Sequence, residues 1–399
     1  MTGPSGAELR RGWLDRRTAF AIVAYAFAVT MLGTTLPTPL YGLYSAKFGF
    51  SELTVTIIFA TYAGGVIAAL LLFGPLSDEI GRRRVLLAGL ALSALSAVAF
   101  LLANGLGLLL VGRALSGLSA GIFTGTATAT LLDLAPENGR GRATLVGTLA
   151  NMTGLGSGPL LAGLLSQSFG SPLRLSFWAQ LALLVPPAIG VWAMPEPGSP
   201  SEHPKLRPQR LTVPPDLRAA FIRASLAGFA GFAVLGLFTA VSPAFLSSQL
   251  GVTSHAVVGL VVFAVFLASA AGQLALERIP ERTALPIGCA VLIAGMGLLA
   301  LGLDQSSLAL LVLGGVTAGF GQGLSFRAAL AGLNAGSPPD QRAAVASSFF
   351  VVAYVAISLP VIGEGVLAQS AGLRTAGLIF AGVVAALAAV ALVLLLRRE

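Results

Sequence analysis

Charge is scarce in this sequence. Asp, Glu, Lys and Arg make up only 10% of its 399 residues, against 56% apolar residues. A soluble fold of this length cannot cover its surface with so few charges. Most of the outer surface must therefore face hydrocarbon. Histidine is nearly absent, and the one cysteine, Cys289, stands in an apolar run. That excludes an internal disulfide and a thiolate metal cluster. No Ser/His/Asp set, no cluster of metal ligands and no Gly-rich phosphate loop ending in Lys occurs. Neither enzyme chemistry, a metal nor a cofactor is expected.

What the sequence does have is long, continuous apolar runs, such as AIVAYAFAVTMLG from Ala21 and VVAALAAVALVLLL from Val383. They lack the alternation of barrel strands, and each sits in a longer stretch that supplies the ~20 residues a membrane helix needs. Twelve spans are predicted: 18–46, 52–76, 84–104, 106–133, 143–168, 173–194, 219–250, 255–276, 283–303, 306–335, 343–369 and 375–396. The first follows Arg10, Arg11, Arg16 and Arg17, with Trp13 as an interfacial anchor, and reads as a span rather than a cleavable signal.

Net charge is +8, and its placement matters more than its size. With the N-terminus in the cytoplasm, nineteen of the 24 Lys and Arg residues fall on the cytoplasmic side, including Arg82 to Arg84, Arg140, Arg142, Lys205, Arg278 and Arg342. Lys47, Arg174 and Arg374 fall outside, and Arg113 and Arg327 lie within spans. This is the positive-inside bias. The basic charge is topological, so a lipid bilayer is the expected partner and nucleic acid is not. The chain reads as a multi-pass inner-membrane protein with both termini cytoplasmic.

Pro195 to Asp216 is rich in Pro, Ser and basic residues and reads as a linker without a core. It divides the chain into a six-helix bundle (1–194), the linker (195–217) and a second six-helix bundle (218–399). The halves also repeat in sequence. GRALSGLSAGIFTG lies over GGVTAGFGQGLSFR at an offset of 202, pairing Gly117 with Gly319, Gly121 with Gly323 and Pro136 with Pro338. Asp78 meets Glu277 and Arg83 meets Arg282 at an offset of 199. Two parallel repeats joined by a linker place a pathway at the seam between them.

Between spans two and three runs GPLSDEIGRRR, from Gly74 to Arg84. Gly74 would admit a close neighbour and Gly81 a tight turn. Asp78 can cap a helix N-terminus and pair with arginine, forming a latch that one conformation makes and another breaks. Gly74, Leu76, Ser77, Asp78, Gly81, Arg82 and Arg83 resemble the signature of the major facilitator superfamily at this place. Glu79 departs from it, standing where that family usually carries a basic residue. Asp133 ends the fourth span near the same surface and would join the latch.

In the fourth span Arg113 shares a helical face with Gly117 and Gly121, continued by Thr124 and Thr128. It lies about 12 Å below the outer surface, where a charge must face a cavity or a partner. The spacing resembles the R-x-x-x-G-x-x-x-G motif of superfamily proton antiporters, which implies a part in proton coupling. The reading from the residues alone is an arginine bonded to carbonyls of the first span. GLGSGPLLAG in the fifth span resembles the superfamily's antiporter motif through Gly154, Gly158, Pro159, Ala162 and Gly163. The upstream glycine is displaced to Gly147. Small residues there allow close packing, Pro159 bends the helix, and the resemblance implies export. Leu32, Gly33, Pro37 and Pro39 are similar to a first-span motif of twelve-span drug:proton antiporters, with looser spacing.

Few ionisable residues remain to carry protons, and the first span holds no acid. Glu364 lies about 8 Å deep in the eleventh span, either a proton carrier or a solvated rim residue. Arg327, about 12 Å deep, could attract an anionic group or pair with Asp133. His255 is expected at the surface. The resemblance places a substrate cavity among spans one, four, seven and ten, for which Tyr25, Thr34, Tyr41, Phe232, Phe238, Gln322, Phe326 and Arg327 are candidates, with Asn151 and Tyr354 from flanking spans. Aromatic residues with few fixed charges suit a small amphipathic organic solute. The resemblance thus implies a monomeric secondary transporter exporting drug-like compounds or metabolites against protons. An importer or passive facilitator of a small metabolite is the alternative.

Overall fold

The computed structural model describes residues 13–74, 76–168, 171–197, 201, 208–209 and 211–397. Arg10, Arg11, Lys205, Arg207, Arg210, Arg398 and much of the 195–217 linker lie outside them.

Every regular element among the described residues is a helix. The first half comprises α1 (Arg16–Thr35), α2 (Tyr41–Phe48), α3 (Glu52–Phe73), α4 (Leu76–Ile80), α5 (Arg82–Leu101), α6 (Leu106–Leu134), α7 (Arg140–Ser168) and α8 (Pro172–Ala193). The second comprises α9 (Arg218–Ala240), α10 (Ser242–Ser248), α11 (His255–Ala275), α12 (Glu281–Asp304), α13 (Leu308–Gly336), α14 (Arg342–Ala371) and α15 (Leu373–Leu396). Twelve of these are long, at 20 residues or more, and run up and down through two six-helix bundles. We call the face bearing the start of α1 and the end of α15 the near side, and the opposite face the far side.

Side chains close several helix starts. Asp15, Ser51, Ser254 and Ser307 accept the backbone N–H three residues on, at α1, α3, α11 and α13. Each satisfies an amide that hydrocarbon would leave unpaired. Eleven of the twelve long helices are apolar enough to cross a membrane. The exception is α7, whose length is ample but whose run of Gly, Thr, Ser and Asn151 lowers its hydropathy.

Two predicted spans are not continuous. The first breaks between α1 and α2, where a short 3-10 turn covers Thr38–Leu40. The seventh breaks at Val241, between α9 and α10. Pro37, Pro39 and Pro243 lack the N–H that would carry the helix through. Both breaks lie toward the far side, at corresponding places in the two halves.

The repeat is visible in packing. A Cβ on Gly117 would come within 2.2 Å of the Tyr62 carbonyl, and one on Gly121 within 2.9 Å of the Val66 carbonyl, both on α3. Gly319 and Gly323 on α13 meet the carbonyls of Val265 and Ser269 on α11 in the same way. The halves meet along two seams, α7 against α11 and α3 against α14.

Candidate functional site

Between the bundles, at mid-depth, lies a cavity of about 50 Å³. That is room for one or two waters and less than any drug-sized molecule needs. Thr34, Asn151, Phe232, Phe326 and Tyr354 of the predicted set line it, together with Arg113. Phe59, Tyr62, Phe266 and Phe350 complete an aromatic wall that the sequence reading did not assemble.

The structure places five predicted cavity residues elsewhere. Tyr25 is 39% exposed and its hydroxyl donates to the Leu183 carbonyl on α8, because it sits on the outer flank of α1. Tyr41 lines a separate far-side cleft of about 160 Å³ with Glu52 and Ser248, carried there by the break in the first span. Phe238 turns into the second bundle, against Gly315. Gln322 is buried and accepts a hydrogen bond from Ser269 at 2.6 Å, joining α13 to α11. Arg327 donates to the Gln273 carbonyl at 2.7 Å and pairs with Glu277 at 3.4 Å, not with Asp133. Only a near-side carboxylate of its own half is in reach.

Arg113 is buried, with 1% of its surface exposed. Its Nη1 donates to the Thr34 carbonyl of α1, and its guanidinium lies 4.7 Å from the ring centre of Tyr62 and 5.4 Å from that of Phe59. Nε has no partner. Both readings of this residue therefore meet in one place: it is anchored to the first helix and also borders the cavity. The Tyr62 and Tyr354 rings meet edge to face across the seam, centres 6.2 Å apart. Both tyrosines line the cavity beside Thr34 and Thr124.

Glu364 is 2% exposed and is no rim residue. It occupies a second chamber, inside the C-terminal bundle, with Phe238, Phe245, Leu303 and Leu311. Among the described residues neither carboxyl oxygen has a hydrogen-bond partner, nor does the Ser242 hydroxyl in the same chamber. Arg113 and Glu364 are thus in separate cavities, and the structure does not bring them together.

On the near side Arg82 pairs with Asp78 and, at 3.1 Å, with Asp133, and donates to Ser77. Arg16 donates to the Asp133 carbonyl at 2.9 Å. Asp78 does not cap α5. Gly81, at φ 102°, turns the chain, and the Glu196 carboxylate accepts the N–H groups of Arg82 and Arg83. Burial pushes the Glu196 carboxyl above its ordinary range, opposed by those two amides and by the arginines. Arg83 lies over Trp192 at 5.9 Å. Gly74 admits not a helix but the linker, since a Cβ there would meet Gln209.

The antiporter-like glycines divide between two neighbours. Gly154 and Gly158 face the Ala28 and Leu32 carbonyls of α1. Gly163 faces the His255 carbonyl across the seam, and Gly259 of α11 faces the Pro159 carbonyl. His255 is accordingly half-buried rather than free at the surface.

Residues 18–361 match the family model described as Major Facilitator Superfamily. The chain belongs to this superfamily. Its long apolar helices are those of a multi-pass membrane protein of that superfamily. The chloramphenicol resistance protein CraA of Acinetobacter baumannii is 28% identical over 320 residues, covering 77% of this chain and 75% of that protein. An uncharacterized transporter of Schizosaccharomyces pombe is 28% identical over 170 residues, 43% of this chain, and the match spans only 35% of that relative's length. Among solved superfamily structures, a bacterial homolog of the human lysosomal transporter Spinster, inward-facing and occupied, matches with a TM-score of 0.75 at 16% identity, over 96% of this chain and 97% of that one. At that identity the likeness speaks for the major facilitator fold alone.

Proposed function

We propose that this transporter exports small amphipathic organic compounds in exchange for protons, by alternating access at the central cavity. The observation that carries the reading is the buried, ring-lined cavity at the seam with Arg113 on its wall. A charge held there without a carboxylate partner is costly and belongs to a functional site. Glu364 is the second proton group: its buried carboxyl stands in an apolar chamber with no hydrogen-bond partner among the described residues. Arg82, Asp78, Asp133, Arg83, Gly74 and Gly81 form the latch, which in this state ties the N-terminal half to itself. Gly117, Gly121, Gly154, Gly158, Pro159 and Gly163 set the helix spacing.

The working division is 1–194, 195–217 and 218–399, in one monomeric chain. The near side, rich in Lys and Arg, is the cytoplasmic face of the inner membrane and holds both termini. Export is supported by the antiporter-like run on α7 and by the resistance relative. In proteoliposomes an imposed proton gradient should drive chloramphenicol movement, and Arg113→Gln or Glu364→Gln should abolish the dependence on it. Flux of equal rate without a gradient defeats the antiport reading. The separation of Glu364 from the cavity favours a second reading, a facilitator without proton coupling. Counterflow in the absence of any gradient distinguishes it.

A further inference from the structure

Among the described residues the central cavity is lined by one cationic group and by hydrogen-bonding groups, and by no carboxylate. Among its described lining residues Arg113 alone carries a fixed charge, and its buried Nε–H has no partner. Glu364 is enclosed in its own chamber, Glu52 lies in the far-side cleft, and Asp133 is held by Arg82 on the near side. The polar groups that remain at the cavity to donate are the Asn151 amide and the hydroxyls of Tyr62 and Tyr354, since Thr34, Thr35, Thr124 and Thr239 already give their one hydroxyl proton to backbone carbonyls. Around them stand phenyl rings that can take a flat apolar body.

We infer that this cavity receives aromatic compounds whose polar end is a hydrogen-bond acceptor, uncharged or singly anionic, and that it rejects lipophilic cations. The inference rests on reading the cavity as the substrate site, and it deepens that reading by assigning the charge class. The acceptor docks on Arg113 and the hydroxyls of Tyr62 and Tyr354, while the aromatic body parts the phenylalanine walls, which in the present state leave space only for water. A charge-assisted bond from guanidinium to carboxylate is about twice as strong as a neutral one. An ammonium in the same place meets like charge at roughly 6 Å with no counter-ion, which corresponds to roughly a hundredfold in affinity at an effective dielectric near 20. The rings alone would favour a cation. Where guanidinium already lies over Tyr62 and Phe59, that surface is taken.

The test is a matched series on the full-length protein in zwitterionic nanodiscs, with empty nanodiscs as the partition control: biphenyl-4-carboxylate, biphenyl-4-carboxamide and biphenyl-4-ylmethylammonium, measured by calorimetry. The expected order of affinity is carboxylate, then carboxamide, then ammonium, with at least a tenfold gap between the first and last. Arg113→Lys should keep the order, and Arg113→Gln should shrink the gap to about threefold. Asn151→Asp, nearly isosteric, should reverse it by placing an acid in the cavity, and this keeps the test alive if the arginine variants do not fold. Ammonium binding equal to or tighter than carboxylate overturns the inference, as does binding of none of the three. Those results leave proton-driven flux untouched, and loss of gradient dependence in proteoliposomes would in turn leave the charge order standing.

Discussion

The two seams that join the halves are built differently. At α7 and α11 the backbones touch: Gly163 and Gly259 each put a missing Cβ within 2.3 Å of a main-chain carbonyl of the facing helix, and Gly156 nests against Phe263. At α3 and α14 the contact runs through side chains. Tyr62 meets Tyr354, and a Cβ on Gly365 would come within 2.6 Å of the Thr56 side-chain oxygen. Gly163 and Gly365 correspond in the repeat at an offset of 202, so one ancestral contact has become rigid on one seam and adjustable on the other. Backbone cannot yield to an added methyl group, whereas a threonine rotor can.

The largest effect should separate these twins. Gly163→Leu forces α7 off the His255 carbonyl at a cost of about 3 kcal/mol, shifting the balance of states roughly a hundredfold away from the joined α7–α11 seam. Gly365→Leu should shift it only about fivefold. Pulsed-EPR distances across each seam read both variants, and equal shifts would erase the distinction. Next in size, Tyr62→Phe and Tyr354→Phe each remove a hydroxyl from the edge-to-face contact at the seam, an effect of about 1 kcal/mol. Each should loosen the α3–α14 distance distribution while leaving α7–α11 unchanged, and the double variant should add little to either single one. Smallest of all, Gln167→Ala removes exposed bonds to Ser254 and the Ala256 amide at the rim of the glycine seam. Less than a twofold change is expected in the same measurement.

Much of this architecture could be read from the chain because hydrocarbon imposes simple rules. Helix number, the two halves and the glycine faces of α6 and α13 all follow from apolar length and small-residue spacing. The breaks after α1 and α9 are not legible in the sequence, because a proline inside a membrane helix, such as Pro37, Pro39 or Pro243, can kink it as well as stop it. The site was legible in part. Arg113 announced itself as a charge in an apolar run. Tyr62 did not, because an aromatic on a buried face reads as packing until its partner on α14 is known. Tyr41, Phe238, Gln322 and Arg327 show the converse: residue type suggests a cavity, but the turn of each helix decides which space the side chain meets. Glu196 gave no signal, since a cap so distant in sequence is created only by the fold.

The weakly apolar α7 bears on how the molecule is made. As synthesis proceeds, this helix leaves the translocon with little drive of its own into lipid, and its first stable neighbour is α1, already in the bilayer and met through Gly154 and Gly158. The opposite face, with Gly156 and Gly163, must wait until α11 has been made, roughly a hundred residues later. Until then the N-terminal half is an unfinished product with an uncovered, glycine-lined flank, and that interval is when membrane chaperones and proteases would find it.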